Sequence, residues 1–173
     1  MTDRLEVGDK IPDFTAPCVW CGEFTLSSKV RESQILFYFY PADFGMQCTY
    51  YSEAMNDYHD GFGKIGVKVF HVNPDTVENH IKYMDRLGTR YDHISDAGQK
   101  VSRMFGMVMP SPMGEDDFRM TNRGFALVDE NMVLRYIWRA PSPINTLYFE
   151  PLIETLREIL EGPGSAEDTG GTV

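Results

Sequence analysis

The sequence predicts an α/β domain in which helices flank a central mixed β-sheet, and three observations carry that prediction. Two runs, ILFYFY (35–40) and VKVFHV (67–72), are rich in apolar, β-branched and aromatic residues, the pattern of strands buried on both faces. Between them, CTYYSEAMNDYHDGFG places Tyr51, Ala54, Met55, Tyr58 and Phe62 at helical spacing, so strand, helix and strand read as one βαβ unit. The chain of 173 residues, 42% hydrophobic and 13% aromatic, can fill one core without covalent staples and is too short for two ordinary domains.

The remaining elements follow in order. Gly61 and Gly63 suit the C-terminus of the first helix. Asp75 or Thr76 can cap a second helix, VENHIKYMDRLG, and Asp96 a third, AGQKVSRMFG, each stopping near a glycine. FALVD and MVLRYI, separated by Glu130 and Asn131, form a hairpin in which Asn131 tolerates positive φ. Pro151 fits the first turn of a last helix over residues 148–161, with Leu152, Leu156, Ile159 and Leu160 on one face. The end, EGPGSAEDTGGTV, loses all periodicity, so the domain spans residues 1–161 and residues 162–173 read as a disordered tail. No internal repeat is present.

Charge narrows the function classes. Sixteen Lys and Arg against 26 Asp and Glu leave a formal charge of −10, which repels phosphate backbones and anionic membrane surfaces. Nucleic acid and membrane are therefore not expected partners. The start, MTDRLEVGDK, has no apolar segment of the secretory kind, and no later run approaches ~18 apolar residues, so a cytoplasmic location is the expectation. Three cysteines, Cys18, Cys21 and Cys48, are odd in number and sparse, unlike the framework of a small secreted domain. Thiol chemistry or plain burial must explain them.

PADFGMQC (41–48) follows the first strand without a gap and sets Cys48 at or just inside the first turn of the next helix. Backbone N–H groups there lack intrahelical partners and the dipole is positive, which stabilises a thiolate. Free cysteine is also a common small core residue, so spacing alone leaves both readings open.

The surrounding segments decide between them by resemblance. VGDKIPDFTAP (7–17), FYPADFGMQCT (39–49) and RGFALVDENMVL (123–134) resemble, in order and spacing, the peroxiredoxins, most closely those related to bacterioferritin comigratory protein. The resemblance covers roughly residues 5–160 and implies a thioredoxin-like fold with an N-terminal β-hairpin. Pro41 and Cys48 match the two ends of the family's Pro-x-x-x-Thr/Ser-x-x-Cys motif. Arg123 ahead of GFALVD matches its arginine, with Ala126 in the place of the strand aromatic, and VNPDTVENH with His80 matches its strand-to-helix turn.

Carried over, the resemblance makes Cys48 the peroxidatic thiolate, Arg123 its electrostatic partner, Pro41 the shield of the sulfur, and the N–H groups of Gln47 and Cys48 the donors to the peroxide. It implies a hydroperoxide substrate, a thioredoxin-like thiol reductant, no cofactor and no metal, and it admits a homodimer.

The chain departs from the pattern at three places. The motif hydroxyl falls on Gly45, and losing one preorganised donor typically lowers rates by about 10²–10³-fold. Tyr51 stands where many relatives carry an acid, and Glu53 where some carry a resolving cysteine. The pair in CVWC, Cys18 and Cys21, then reads as a relay that accepts the oxidation of Cys48, as an inert structural pair, or as half of a zinc site needing two further ligands. His59, His71, His80 and His93 show no ligand spacing, and Trp20, Tyr50 and Tyr51 read as core or rim aromatics. The methionines of MFGMVMPSPM (104–113) read as apolar packing or an active-site rim. The leading function is thus a thiol peroxidase. The alternatives are a thiol-disulfide oxidoreductase or peroxide sensor working through CVWC, and a peroxiredoxin-like scaffold that has lost catalysis with the Gly45 hydroxyl.

Overall fold

The computed structural model describes residues 4–110, 119–142 and 144–162. In chain order the elements are β1 (Thr15–Cys18), β2 (Gly22–Thr25), α1 (Leu26–Lys29), β3 (Gln34–Phe39), α2 (Met46–Asn56), α3 (His59–Lys64), β4 (Val67–Asn73), α4 (Val77–Leu87), β5 (Asp92–Ser95), α5 (Lys100–Met104), β6 (Val108–Pro110), β7 (Arg119–Thr121), β8 (Gly124–Val128), β9 (Leu134–Arg139) and α6 (Phe149–Glu161). Seven strands form one mixed sheet in the order β2-β1-β5-β4-β3-β8-β9, and β6 pairs with β7 apart from it. β3, β4 and β5 run parallel, while β1 and β8 join them antiparallel and extend the sheet through hairpins to β2 and β9. The two apolar runs are the central strands β3 and β4, and the sheet is mixed with an N-terminal hairpin, as expected.

β3 divides the core by its own alternation. Ile35, Phe37 and Phe39 face one layer with Phe14, Phe24, Phe70 and Phe105, whereas Leu36, Tyr38 and Tyr40 face the other with Tyr51, Met55, Tyr83 and Leu156. A strand with period-two side chains therefore has a phenylalanine face and a tyrosine face. Phe24 and Phe70 meet edge to face at 4.8 Å in the first layer, and Tyr38 stacks on Tyr40 at 5.4 Å in the second. The cysteine-bearing helix α2 packs on the tyrosine side, where Cys48, Tyr51 and Met55 join that layer.

Four sequence expectations change in detail. The single helix expected after β3 is two, α2 and α3. It breaks because Asp57 and Tyr58 close tight i+3 turns on Ala54 and Met55, while Tyr91 Oη donates to the Met55 carbonyl at 2.5 Å. Gly61 and Gly63 lie within α3 and do not end a helix; a Cβ at Gly61 would stand 3.0 Å from Ile153 Cδ1, so glycine there serves the approach of α6. In the β8–β9 turn the left-handed residue is Met132, at φ 61°, not Asn131. The Asp129 carboxylate shapes this loop by accepting from the Asn131 and Val133 N–H groups. MFGMVMPSPM is not only a connection: Met107 is fully buried and Val108–Pro110 is β6, while residues 111–113 lie outside the described residues.

The caps follow the sequence more closely. Thr76, of the two candidates, accepts from the Asn79 N–H, and Gly88 ends α4 in the left-handed conformation. Asp96 accepts from the Val101 and Ser102 N–H groups and so caps α5 from a position ahead of its first turn. α6 starts one residue later than expected. Of the tail expected over 162–173, all but Gly162 lies outside the described residues. Among the described residues no helix is long and apolar enough to cross a membrane.

His71 sits in the tyrosine layer against Tyr38, Tyr91 and His93, with neither ring nitrogen partnered among the described residues. Burial, helped by the charge of His80, lowers its pKa from 6.5 to about 3, so it is neutral in the folded protein. The unfolded chain takes up this proton as pH drops below 6.5, and the folded one only near 3, so acid favours unfolding across that window. Above it, the contribution of His71 is complete. Urea titrations should give an unfolding free energy that falls from about pH 7 to about pH 4, with His71→Phe flattening part of the slope. An unchanged slope in a folded variant would remove His71 as a cause.

Candidate active site

β3 ends at Phe39, and residues 40–45 then turn the chain into α2. The turn is made by Phe44, whose φ of 62° is uncommon for a bulky residue. Its ring is held edge-on by Tyr83 at 5.1 Å and lies under the Arg86 guanidinium at 5.9 Å. Gly45 follows as the N-cap with φ −61°, a value open to any residue, and Cys48 is the third residue of α2. Among the described residues no side chain caps α2. The N–H groups of Met46, Gln47 and Cys48 therefore face the site without intrahelical partners, the first intrahelical bond being Thr49 N–H to the Gly45 carbonyl at 2.8 Å.

Asp43 ties this loop to the body of the protein. Its carboxylate accepts from Tyr40 Oη at 2.5 Å, from Asn73 Nδ2 at 2.8 Å and from His80 Nδ1 at 2.6 Å, and its own N–H donates to Asp75 at 2.7 Å. His80 Nε2 faces the Ile94 carbonyl at 3.2 Å. Both ring nitrogens of His80 thus meet oxygen partners, the Asp43 carboxylate and the Ile94 carbonyl. Burial works to raise the Asp43 pKa, but His80, Tyr40 and Asn73 outweigh it and hold the carboxyl below its ordinary value.

Arg123, immediately ahead of β8, closes the site from the strand next to β3. Its residue is 2% exposed, with one guanidinium nitrogen donating to Tyr38 Oη at 2.7 Å and the other to Cys48 Sγ at 3.4 Å. The Tyr51 ring faces the same cation at 5.2 Å. Burial opposes the charge on Arg123, yet Tyr38 and Cys48 together raise its pKa above the ordinary value, so the group stays cationic. Burial, more than any neighbour, raises Tyr38 as well, and it remains a phenol. Gly124 makes the placement possible: a Cβ there would stand 2.6 Å from Met107 Sδ, so only glycine lets β8 begin directly after Arg123.

The structure brings together Cys48, Arg123 and Gly45, with Pro41 opening the loop and Gln47 in the first turn. A Cβ built on Gly45 would lie 3.4 Å from Cys48 Sγ and 3.5 Å from the Ala42 carbonyl, so the missing motif side chain would rest on the sulfur. Cys18 and Cys21 lie elsewhere. They form a disulfide with Cα atoms 5.6 Å apart at the β1–β2 turn, consistent with a redox-active pair. Cys18 is level with Ile94, Val72 and Phe39, three strand spacings or about 14 Å from β3, and it packs in the phenylalanine layer. The sheet therefore separates it from Cys48 of the same chain.

Sequence reasoning missed three groups at the Cys48 site. Tyr51, read as a core or rim aromatic, covers the cation where an acid was expected; Tyr38 binds the guanidinium, and its alternation with Phe37 and Phe39 was the available signal. Asp43 gave no local signal, since its partners come from β4 and α4. Trp20 and Tyr50 are rim groups, 59% and 66% exposed. Near the CVWC pair the structure adds Asp92, whose carboxylate and both sulfurs lie within 4.8 Å of one another, a third donor that spacing did not reveal.

A sheet of this topology with a buried cysteine at a helix start and a guanidinium on its sulfur defines the thioredoxin-fold thiol peroxidases. The chain belongs to the AhpC/TSA family, whose model matches residues 7–137. The chloroplastic 2-Cys peroxiredoxin BAS1 of Hordeum vulgare is 30% identical over 164 residues, covering 88% of this chain and 73% of that protein. The corresponding protein of Spinacia oleracea is 32% identical over 151 residues, covering 82% of this chain and 53% of its own length. In fold the chain is similar to a peroxiredoxin 6 mutant of Arenicola marina, with TM-score 0.80 at 19% identity, covering 88% of this chain and 72% of that one. It is also similar to a PrxQ mutant of Xylella fastidiosa, with TM-score 0.78 at 18% identity, covering 89% and 96%. Family membership carries a hydroperoxide substrate and a thiol reductant in general terms.

Removing Asp43 should test the anchoring of the loop. Asp43→Ala leaves buried His80, Asn73 and Tyr40 without their acceptor, and breaking such a pair from one side typically destabilises by about 3–5 kcal/mol. Urea denaturation should show a loss of that order, and a loss under about 1 kcal/mol would mean that the network contributes little.

Proposed function

We propose that the protein reduces hydroperoxides through Cys48, and one observation carries the reading: the buried Arg123 guanidinium bonded to the Cys48 sulfur at a helix start. The peroxide oxygens are bound by the free N–H groups of the first turn of α2, Gln47 and Cys48 among them, and by Arg123. Its Nε has no partner among the described residues and is a spare donor. The Cys48 thiolate attacks one oxygen; an S–O bond forms as the O–O bond breaks, and hydroxide or alkoxide leaves beside the cation. A thiol then condenses with the resulting sulfenic acid, releasing water and forming a disulfide, which a second thiol reopens.

Pro41 walls the sulfur from the loop side. Gly45 offers no hydroxyl to the peroxide, so the intrinsic rate is below that of a chain carrying the motif threonine. The finer assignments in this reading are a thioredoxin-like dithiol as reductant, a cytoplasmic location and a homodimer. Because the sheet separates the CVWC pair from Cys48 within one chain, a relay from Cys48 to Cys18 and Cys21 runs between two copies.

Stopped-flow oxidation of the reduced protein tests the site. Cys48→Ser should abolish the fast phase, and Arg123→Met should slow it by about 10²–10³-fold. Gly45→Thr should accelerate it, since the backbone at Gly45 accepts any residue and its Cβ meets the sulfur in ordinary contact. A folded Gly45→Thr that reacts more slowly would mean that this loop uses glycine in another way. The relay has its own test: Cys48→Ser mixed with the double variant Cys18→Ser and Cys21→Ser should restore turnover that neither has alone. Full turnover by the double variant alone would exclude the pair from the cycle.

A further inference from the structure

We propose that Cys18, Cys21 and Asp92 form a second redox centre that exchanges electrons with dithiols, in which Cys21 is the sulfur attacked and Asp92 carries the proton between the sulfurs. The inference does not rest on the peroxide chemistry of Cys48. It begins with the unequal burial of the pair. Cys18 is 2% exposed within the phenylalanine layer, whereas Cys21 is half-buried beside the exposed Trp20. Both Trp20 and Cys21 line an open groove of about 770 Å³ at the N-terminal ends of the parallel strands, with Lys68, Arg90, Tyr91 and Asp92. An incoming thiolate therefore has a path to Cys21 and none to Cys18.

Asp92 is placed for more than packing. It is a buried carboxylate at the start of β5, and its oxygens accept from the N–H groups of Trp20 at 2.9 Å, Cys21 at 3.1 Å and His93 at 2.8 Å. Those bonds fix it beside the pair, with a carboxylate oxygen and both sulfurs within 4.8 Å of one another. Opening the disulfide would leave a thiolate on buried Cys18 next to this carboxylate. Two adjacent negative charges out of water repel strongly, so opening requires a proton delivered at the same place.

The sequence of bonds is as follows. A dithiol gives up one proton to the Asp92 carboxylate, and its thiolate attacks Cys21 Sγ. The new S–S bond forms as the Cys18–Cys21 bond breaks; the electron pair goes to Cys18 Sγ, which takes the proton from Asp92. The second thiol of the dithiol passes its proton by the same route and attacks its partner sulfur in the mixed disulfide, releasing Cys21 as a thiol. The pair gains two electrons and two protons, and the dithiol leaves as a disulfide.

The test is made in a Cys48→Ser background, so failure here is distinct from failure of the peroxidase reading. With Cys18→Ser added, the remaining Cys21 thiol should react with Ellman's disulfide at least about tenfold faster than Cys18 does when Cys21→Ser is added instead. Equal rates, or a faster Cys18, overturn the assignment of Cys21. With both cysteines present, Asp92→Asn and Asp92→Ser should slow opening of the pair by dithiothreitol at neutral pH by at least about tenfold. A folded variant of either kind that opens at the parent rate overturns the role of Asp92. Should both variants fail to fold, the comparison of Cys21 with Cys18 still decides whether the groove serves the exposed sulfur.

Discussion

The site depends on a guanidinium kept charged where water does not reach. Arg123 is almost fully buried, and three different groups offset the loss of solvent: the phenol oxygen of Tyr38, the sulfur of Cys48 and the face of Tyr51. An acid in the place of Tyr51 would neutralise the cation in a direct ion pair and compete with the sulfur for its donors. A ring attracts the cation without taking a hydrogen bond, and leaves the N–H groups for the sulfur and for an incoming oxygen. The aromatic substitution that broke the family pattern is thus compatible with the same chemistry.

A cation held in this way is useful only if the sulfur is held too. Phe44 accepts a left-handed backbone so that the chain can leave β3 and enter α2 within six residues. Such a conformation persists where surrounding contacts over-determine it. Here these are the Asp43 carboxylate, bonded to the side chains of Tyr40, Asn73, Asn79 and His80, and the Phe44 ring between Tyr83 and Arg86. The loop is rigid by its partners rather than by its own sequence.

That distinction also separates the elements legible in the sequence from those that were not. β3, β4, α4 and α6 announced themselves because each carries its burial in a regular apolar pattern. β5, made of Asp92, His93, Ile94 and Ser95, has one apolar residue in four and is buried all the same: Asp92 accepts from the distant Trp20 and Cys21 N–H groups, Ser95 donates to the Asp75 carbonyl, and the His93 ring meets the nearby Tyr91 carbonyl. No periodicity could reveal it. The break between α2 and α3 is of the same kind, since Tyr91, well down the chain, takes the Met55 carbonyl. At the site, Cys48 and Arg123 were legible because motif and chemistry agreed, whereas Tyr51 was passed over because a ring stood where an acid was expected.

The two-sidedness of β3 has a further consequence. Its phenylalanines form a dry, non-ionisable layer against Cys18, and its tyrosines line the side that holds Cys48. The sheet between them carries no path for a sulfur to cross, so one chain can keep a disulfide on one side and a free thiol on the other. The packing thus keeps the two sulfur centres of one chain apart. Exchange between them is then left to a group from outside the chain, a second copy or a passing thiol.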